Sequence, residues 1–316
     1  MNSISKEIKI FSNYPESFYD KKREGLYYNM ITGYVLAGLT GICFGIQGAY
    51  SKGLAQRVHP VLLTWVVFFF AIPFILPLVL IEGIPEINWK NLLLATFTST
   101  TINIIAWNFF FEALRVSSLA HTMPFTAFTP IFIIPIAYVL LNELPATWGI
   151  IGIVLIIAGA YGIHLNSHNL LQPFRQIYYN RGTRYMLIVS LMWSLSATVE
   201  KVAVLASSPA FYALFFHTVM ALSYLIIIWA KDKRLFSSIE GNMKGFLVLG
   251  LISGLLILFQ FTALKYLLVS YVIAFKRAGV LVSIFLGVLF YREKHFLKNI
   301  FCTALMVSGV FFIVLL

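Results

Sequence analysis

The sequence predicts an all-α membrane protein whose ten transmembrane helices form two inverted five-helix repeats. Three observations lead there. Of 316 residues, 60% are hydrophobic and 11% charged, with a mean hydropathy of +0.87. A soluble domain carries roughly 25% charged residues, so this chain lacks the polar side chains to cover a water-facing surface. Apolar runs of roughly 20 residues, the length that crosses a bilayer, recur ten times. The first five runs also match the second five.

Ahead of the first run, "MNSISKEIKIFSNYPESFYDKKREG" mixes both charge signs and lacks an apolar stretch. Residues 1–27 therefore read as an aqueous tail, not a cleavable signal peptide. Helices are expected over 30–50, 61–81, 91–113, 119–141 and 148–165, making a first repeat of 28–165. The longest linker, within "NSHNLLQPFRQIYYNRGTR", follows the fifth helix and covers 166–184. Helices over 186–206, 210–230, 245–264, 267–291 and 296–316 make a second repeat of 185–316. Short linkers marked by Pro, Asn, Ser or charges separate the others. Cations gather in the tail and in the loops after the fifth, seventh and ninth helices, as is usual beside membrane ends.

The halves repeat in detail. "FGIQGAYSKGLAQRVHP" matches "WSLSATVEKVAVLASSP", pairing Lys52 with Lys201 and Pro60 with Pro209 at an offset of 149. "ALRVSSLAHTMPFTAFTPIFIIPIAYVLLNE" matches "ALKYLLVSYVIAFKRAGVLVSIFLGVLFYRE", pairing Arg115 with Lys265 and Glu143 with Glu293 at 150, and Gly159 pairs with Gly309 at the same offset. Because five is odd, the second copy enters the membrane from the opposite side. Inverted-topology repeats are a mark of secondary transporters, with binding near the midplane between copies.

On these residues the chain resembles the drug/metabolite transporter superfamily, of the type built from two EamA-like halves, over essentially 28–316. "SYVIAFKRAGVLVSIFLG" in the ninth helix is similar to the phosphosugar and nucleotide-sugar translocator branch. There a Lys-Arg pair on this helix and a lysine on the sixth grip the substrate phosphate. The resemblance implies that Lys276, Arg277 and Lys201 do so here. "AHTM" resembles a motif of those translocators and would make His121 a substrate contact. With no plastid transit peptide, a bacterial or archaeal cell membrane is the expected location.

Independently of family, Lys276 and Arg277 interrupt an apolar segment, and charge is expensive at membrane depth. Counting Lys52 and Lys201 against Glu200 and Glu112 leaves cations in surplus. A bound anion in a wet cavity would relieve the cost. An internal ion pair with Glu200 or Glu112 would too, and snorkelling of long side chains is a third account. Consecutive helix residues diverge by about 100°, so at least one of the pair should face protein or cavity. Arg suits bidentate grip on phosphate or carboxylate, and Lys adds a movable point charge. Gln260, Asn108, Trp107 and Tyr271 are the polar and aromatic candidates to line the same pocket. Glu200 and Glu112 are candidates for proton coupling or ion pairing. Glu143 and Glu293 read as capping or loop residues.

Other functions find no support. There is no catalytic grouping, no Cys or His spacing for a metal, and no cofactor motif; Cys43 and Cys302 sit in apolar runs. The net charge of +11 is not laid out as a basic, aromatic-interleaved stripe for nucleic acid. The expected activity is alternating-access transport of a small anionic, phosphorylated metabolite, by exchange. The rivals are a flippase for a polyprenyl-phosphate-linked sugar and a proton-coupled exporter of amino acids or drugs. Expected partners are the anionic substrate and membrane lipid, with a homodimer left open.

Overall fold

The computed structural model describes residues 16–55, 57–116, 123–163, 178–279, 282 and 300–315. Within them the chain is helical, with no strand among the described residues. We label the helices α1 (Glu16–Ala55), α2 (Pro60–Glu82), α3 (Trp89–Val116), α4 (Thr129–Leu141), α5 (Thr147–Ile163), α6 (Arg181–Leu205), α7 (Pro209–Lys231), α8 (Met243–Tyr266), α9 (Val269–Ala278) and α10 (Ile300–Leu315). Six of them, or segments of them, are long and apolar enough to cross a membrane: Tyr28–Ser51, Pro60–Glu82, Trp89–Phe110, Arg181–Leu205, Pro209–Lys231 and Met243–Tyr266. Phe125–Leu141, Thr147–Gly162 and Ala304–Val314 are shorter apolar helices.

Local chemistry sets the ends and the breaks. Proline opens both α2 and α7, where its missing N–H costs no helical bond. His59 Nδ1 caps α2 through Val61 N and Ser208 Oγ caps α7 through Phe211 N. The second span is not continuous, as expected over 61–81, but breaks between Pro60–Phe69 and Ile72–Glu82. Pro73 cannot donate to the preceding turn, and Gly250 of α8 packs into the gap, where a Cβ would overlap Phe70 O. The fourth span also differs from expectation. Met123–Phe128 is a 3-10 helix that passes into α4 at Thr129. Residues 119–122 and most of 280–299 lie outside the described residues.

The repeats are related as an inverted pair would be. α3 packs along α6 as α8 packs along α1, and α5 packs along α10. At the last interface Gly152 meets Gly309 and Gly159 meets Cys302; a Cβ on Gly152, Gly159 or Gly309 would lie 2.5 Å from a carbonyl of the opposing helix. One pair becomes the other when each residue is replaced by its repeat equivalent. The order of the contacts also shows that α5 and α10 run antiparallel. The same exchange relates α1 to α6. Gly41 lies against Phe275 O, while its equivalent, Ser190, donates a 2.6 Å hydrogen bond to Phe125 O, the equivalent carbonyl. A glycine serves at one site and a hydroxyl at the other because one helix pair closes to backbone contact.

Candidate functional site

A cavity of about 120 Å³ opens where the two repeats meet. Its wall contains two repeat-related polar pairs. Gln47 Nε2 of α1 donates to Ser253 Oγ of α8 at 2.7 Å, and Asn103 Nδ2 of α3 donates to Ser196 Oγ of α6 at 2.6 Å. Gln47 is the equivalent of Ser196 and Ser253 of Asn103, so amide and hydroxyl have changed places.

Charge breaks this symmetry. Lys276 and Arg277 both line the cavity from the end of α9, while the equivalent positions in the first repeat are Thr126 and Ala127. Lys276 Nζ donates to Gln260 Oε1 at 2.7 Å and lies 5.3 Å from the Phe44 ring centre. Arg277 is 3% exposed. Its guanidinium carbon sits 5.3 Å from both Phe44 and Trp193, and these two rings occupy repeat-equivalent positions. The guanidinium therefore lies close to the pseudo-two-fold axis that relates the halves. Its Nη2 donates to Thr129 Oγ1 at 3.2 Å, while Nε and Nη1 are buried without a hydrogen-bond partner. Neither cation makes an ion pair with a described residue, which removes the direct pairing with Glu200 or Glu112 weighed above.

Glu200 faces the same cavity from α6, at a position equivalent to Ser51. Its Oε1 accepts from Ser99 Oγ at 2.9 Å, Ser196 Oγ at 2.8 Å and Asn103 Nδ2 at 3.3 Å. Aromatic rings complete the wall: Trp107 meets Trp193 edge-on at 5.6 Å, and Phe68 meets His217 at 5.2 Å.

Lys201 is placed elsewhere. Although adjacent to Glu200, it points into the α8–α9 turn, where its Nζ donates to Leu267 O at 2.6 Å and pairs with Glu143 Oε1. The other oxygen of Glu143 accepts from Val269 N at 3.1 Å, capping α9. Lys201 is thus neutralised in a junction rather than presented to the cavity, and Glu143 has the capping role expected of it. Tyr271 is corrected in the same way. Its hydroxyl fills the space beside Gly149 of α5, where a Cβ would overlap it. Asn108 is exposed and donates to Ile104 O of its own helix at 2.8 Å; the cavity asparagine is Asn103. Glu112 is half-buried further along α3, away from the cavity wall. His121 and the side chains of Lys52 and Arg115 lie outside the described residues.

Of the expected contacts, Lys276, Arg277, Gln260, Trp107 and Glu200 therefore converge. Asn103, Ser99, Ser196, Thr129, Phe44 and Trp193 were missed. Part of the signal was available. Ser99, Asn103 and Trp107 on α3 and Ser196 and Glu200 on α6 recur every four residues, which places polar groups on one helix face.

The EamA-like transporter family model matches the chain twice, over residues 31–165 and 180–315. Twenty-nine solved chains match it in structure. One crystal structure superposes at a TM-score of 0.65 and 14% identity, covering 89% of this chain and 95% of its own, a likeness of fold. No curated protein matches in sequence. With two family matches that together span nearly all of its helices, this chain belongs to the EamA-like transporter family and is a multi-pass integral membrane transporter.

Proposed function

We propose that the protein is a secondary transporter for a small organic anion, with a phosphate monoester as the preferred class, moved by alternating access in exchange for a second anion. The observation that carries this is Arg277: a guanidinium 3% exposed, without an acidic partner among the described residues, with two nitrogens unsatisfied. A buried cation of that kind is costly unless something neutralises it. Lys276 beside it adds a second cation, so that separate oxygens of one phosphate can each be met by a charged donor. A fork of N–H donors plus a movable ammonium is the pattern that grips phosphate oxygens. Thr129 Oγ1 and Gln260 hold the two heads in place, and the site's position near the two-fold axis suits exposure to either side in turn.

The test is thermal unfolding of detergent-purified protein with inorganic phosphate, glycerol phosphate, lactate or an organic cation. A ligand at 100 times its Kd stabilises by roughly 2.7 kcal/mol. Stabilisation by the phosphates that disappears in both Lys276→Ala and Arg277→Ala is the expected result. Response to organic cations alone would overturn the reading.

A further inference from the structure

Resting on that reading of the cavity, we propose that the substrate carries an ammonium group as well as its phosphate, and that Glu200 receives it: an amino-phosphate, with an anionic head on Arg277 and Lys276 and a cationic end on α6.

Glu200 is 7% exposed, yet it has no ion-pair partner among the described residues. An internal counter-ion would be expected to touch a cation. Here Ser99, Ser196 and Asn103 hold the carboxylate from behind through Oε1, while Oε2 accepts no hydrogen bond from the described residues. The nearby ammonium of Lys276 is engaged with Gln260. The carboxylate is therefore oriented and left with an open acceptor on a cavity wall. The charged or titratable groups facing it are Lys276 and Arg277 from α9 and Tyr212 and His217 from α7; α3, α4 and α8 contribute neutral groups at this level. With the carboxylate and both cations ionised, the empty cavity carries one net positive charge. A phosphate dianion bearing one ammonium carries one net negative charge, and the sum is neutral. A phosphate without the ammonium leaves Glu200 buried beside added negative charge, an arrangement burial penalises. A cavity of about 120 Å³ is below the span of drug-sized pockets and suits a short chain between the two ends. Glu200, Lys276 and Arg277 stand where the first repeat has Ser51, Thr126 and Ala127. All three cavity charges are thus departures from the repeat, as a substrate with charge at both ends requires.

The test compares 2-aminoethyl phosphate with n-propyl phosphate and 2-hydroxyethyl phosphate, by calorimetry on the purified full-length chain. The three differ in the terminal group alone. The expected result is a Kd for the amine at least about tenfold lower than for either neutral probe, the scale of one charge-assisted hydrogen bond. In Glu200→Gln the ratio should fall to about twofold or less. Equal affinities in the parent overturn the proposal whether or not the variant folds, and so does a preference that persists in Glu200→Gln. If inorganic phosphate binds without discrimination among the three esters, this inference fails and the anion site stands. If no phosphate compound binds, both fall.

Discussion

At the scale of the residue, the adjacent pair Glu200 and Lys201 shows how two neighbours acquire unrelated roles. Their sequence proximity suggests mutual neutralisation, but a 100° step around the helix turns one to the cavity and the other to the α8–α9 turn. Lys201 finds Glu143 there, with side chains 8% and 14% exposed. Removing one member of a buried pair strands the other at a cost of about 3–5 kcal/mol, while removing both is often near neutral. Glu143→Gln should therefore lower unfolding stability in detergent by that order, and Lys201→Met combined with Glu143→Gln should cost less than the sum of the single changes. Because Lys201 is spent in this junction, the double variant should keep its thermal response to inorganic phosphate. Loss of that response would return Lys201 to the anion site. That a lysine lay at depth was legible in the sequence. Its partner was not, because Glu143 arrives from the other repeat, and only the crossing of α4 past α6 brings it near.

At the scale of the element, the spans were legible from apolar length, and the inversion from the odd helix count, since both depend on composition and order alone. The interruptions were not. The α2 break and the 3-10 entry to α4 depend on what packs beside them: Gly250 occupies one gap, and Phe125 O of the other accepts from Ser190. The α5–α10 crossing is a demanding contact, because Gly152 and Gly309 each lie against the other's carbonyl. Gly309→Ala would force the helices apart, and overpacking of this kind costs about 1–3 kcal/mol. Gly38 of α1 has nothing within 4 Å of an added Cβ, so Gly38→Ala should leave the unfolding midpoint unchanged or raise it slightly, as alanine's helix propensity favours. Equal losses in both variants would mean that helix flexibility, not close approach, is what these glycines supply.

At the scale of the whole molecule, the proposed exchange makes a prediction that follows from the cavity charge. In the proposed alternating-access cycle, reorientation would close the cavity between the two halves around Arg277, Lys276 and Glu200. Loaded with an anion of one net charge, such as the phosphate monoanion, the occluded site would be neutral. Empty, it carries an uncompensated positive charge, and such burial costs several kcal/mol. Each 1.36 kcal/mol added to a barrier slows it tenfold, so the return of the empty carrier should limit any net flux. Proteoliposomes preloaded with unlabelled phosphate should then take up labelled phosphate at least about tenfold faster than vesicles without internal anion, on that barrier scale. Arg277→Gln should abolish phosphate-driven exchange, since it removes the group proposed to bind the anion. Equal uptake into loaded and empty vesicles would mean that the unloaded site crosses readily. The buried cations would then be neutralised from within the protein, and the exchange mechanism would have to be abandoned.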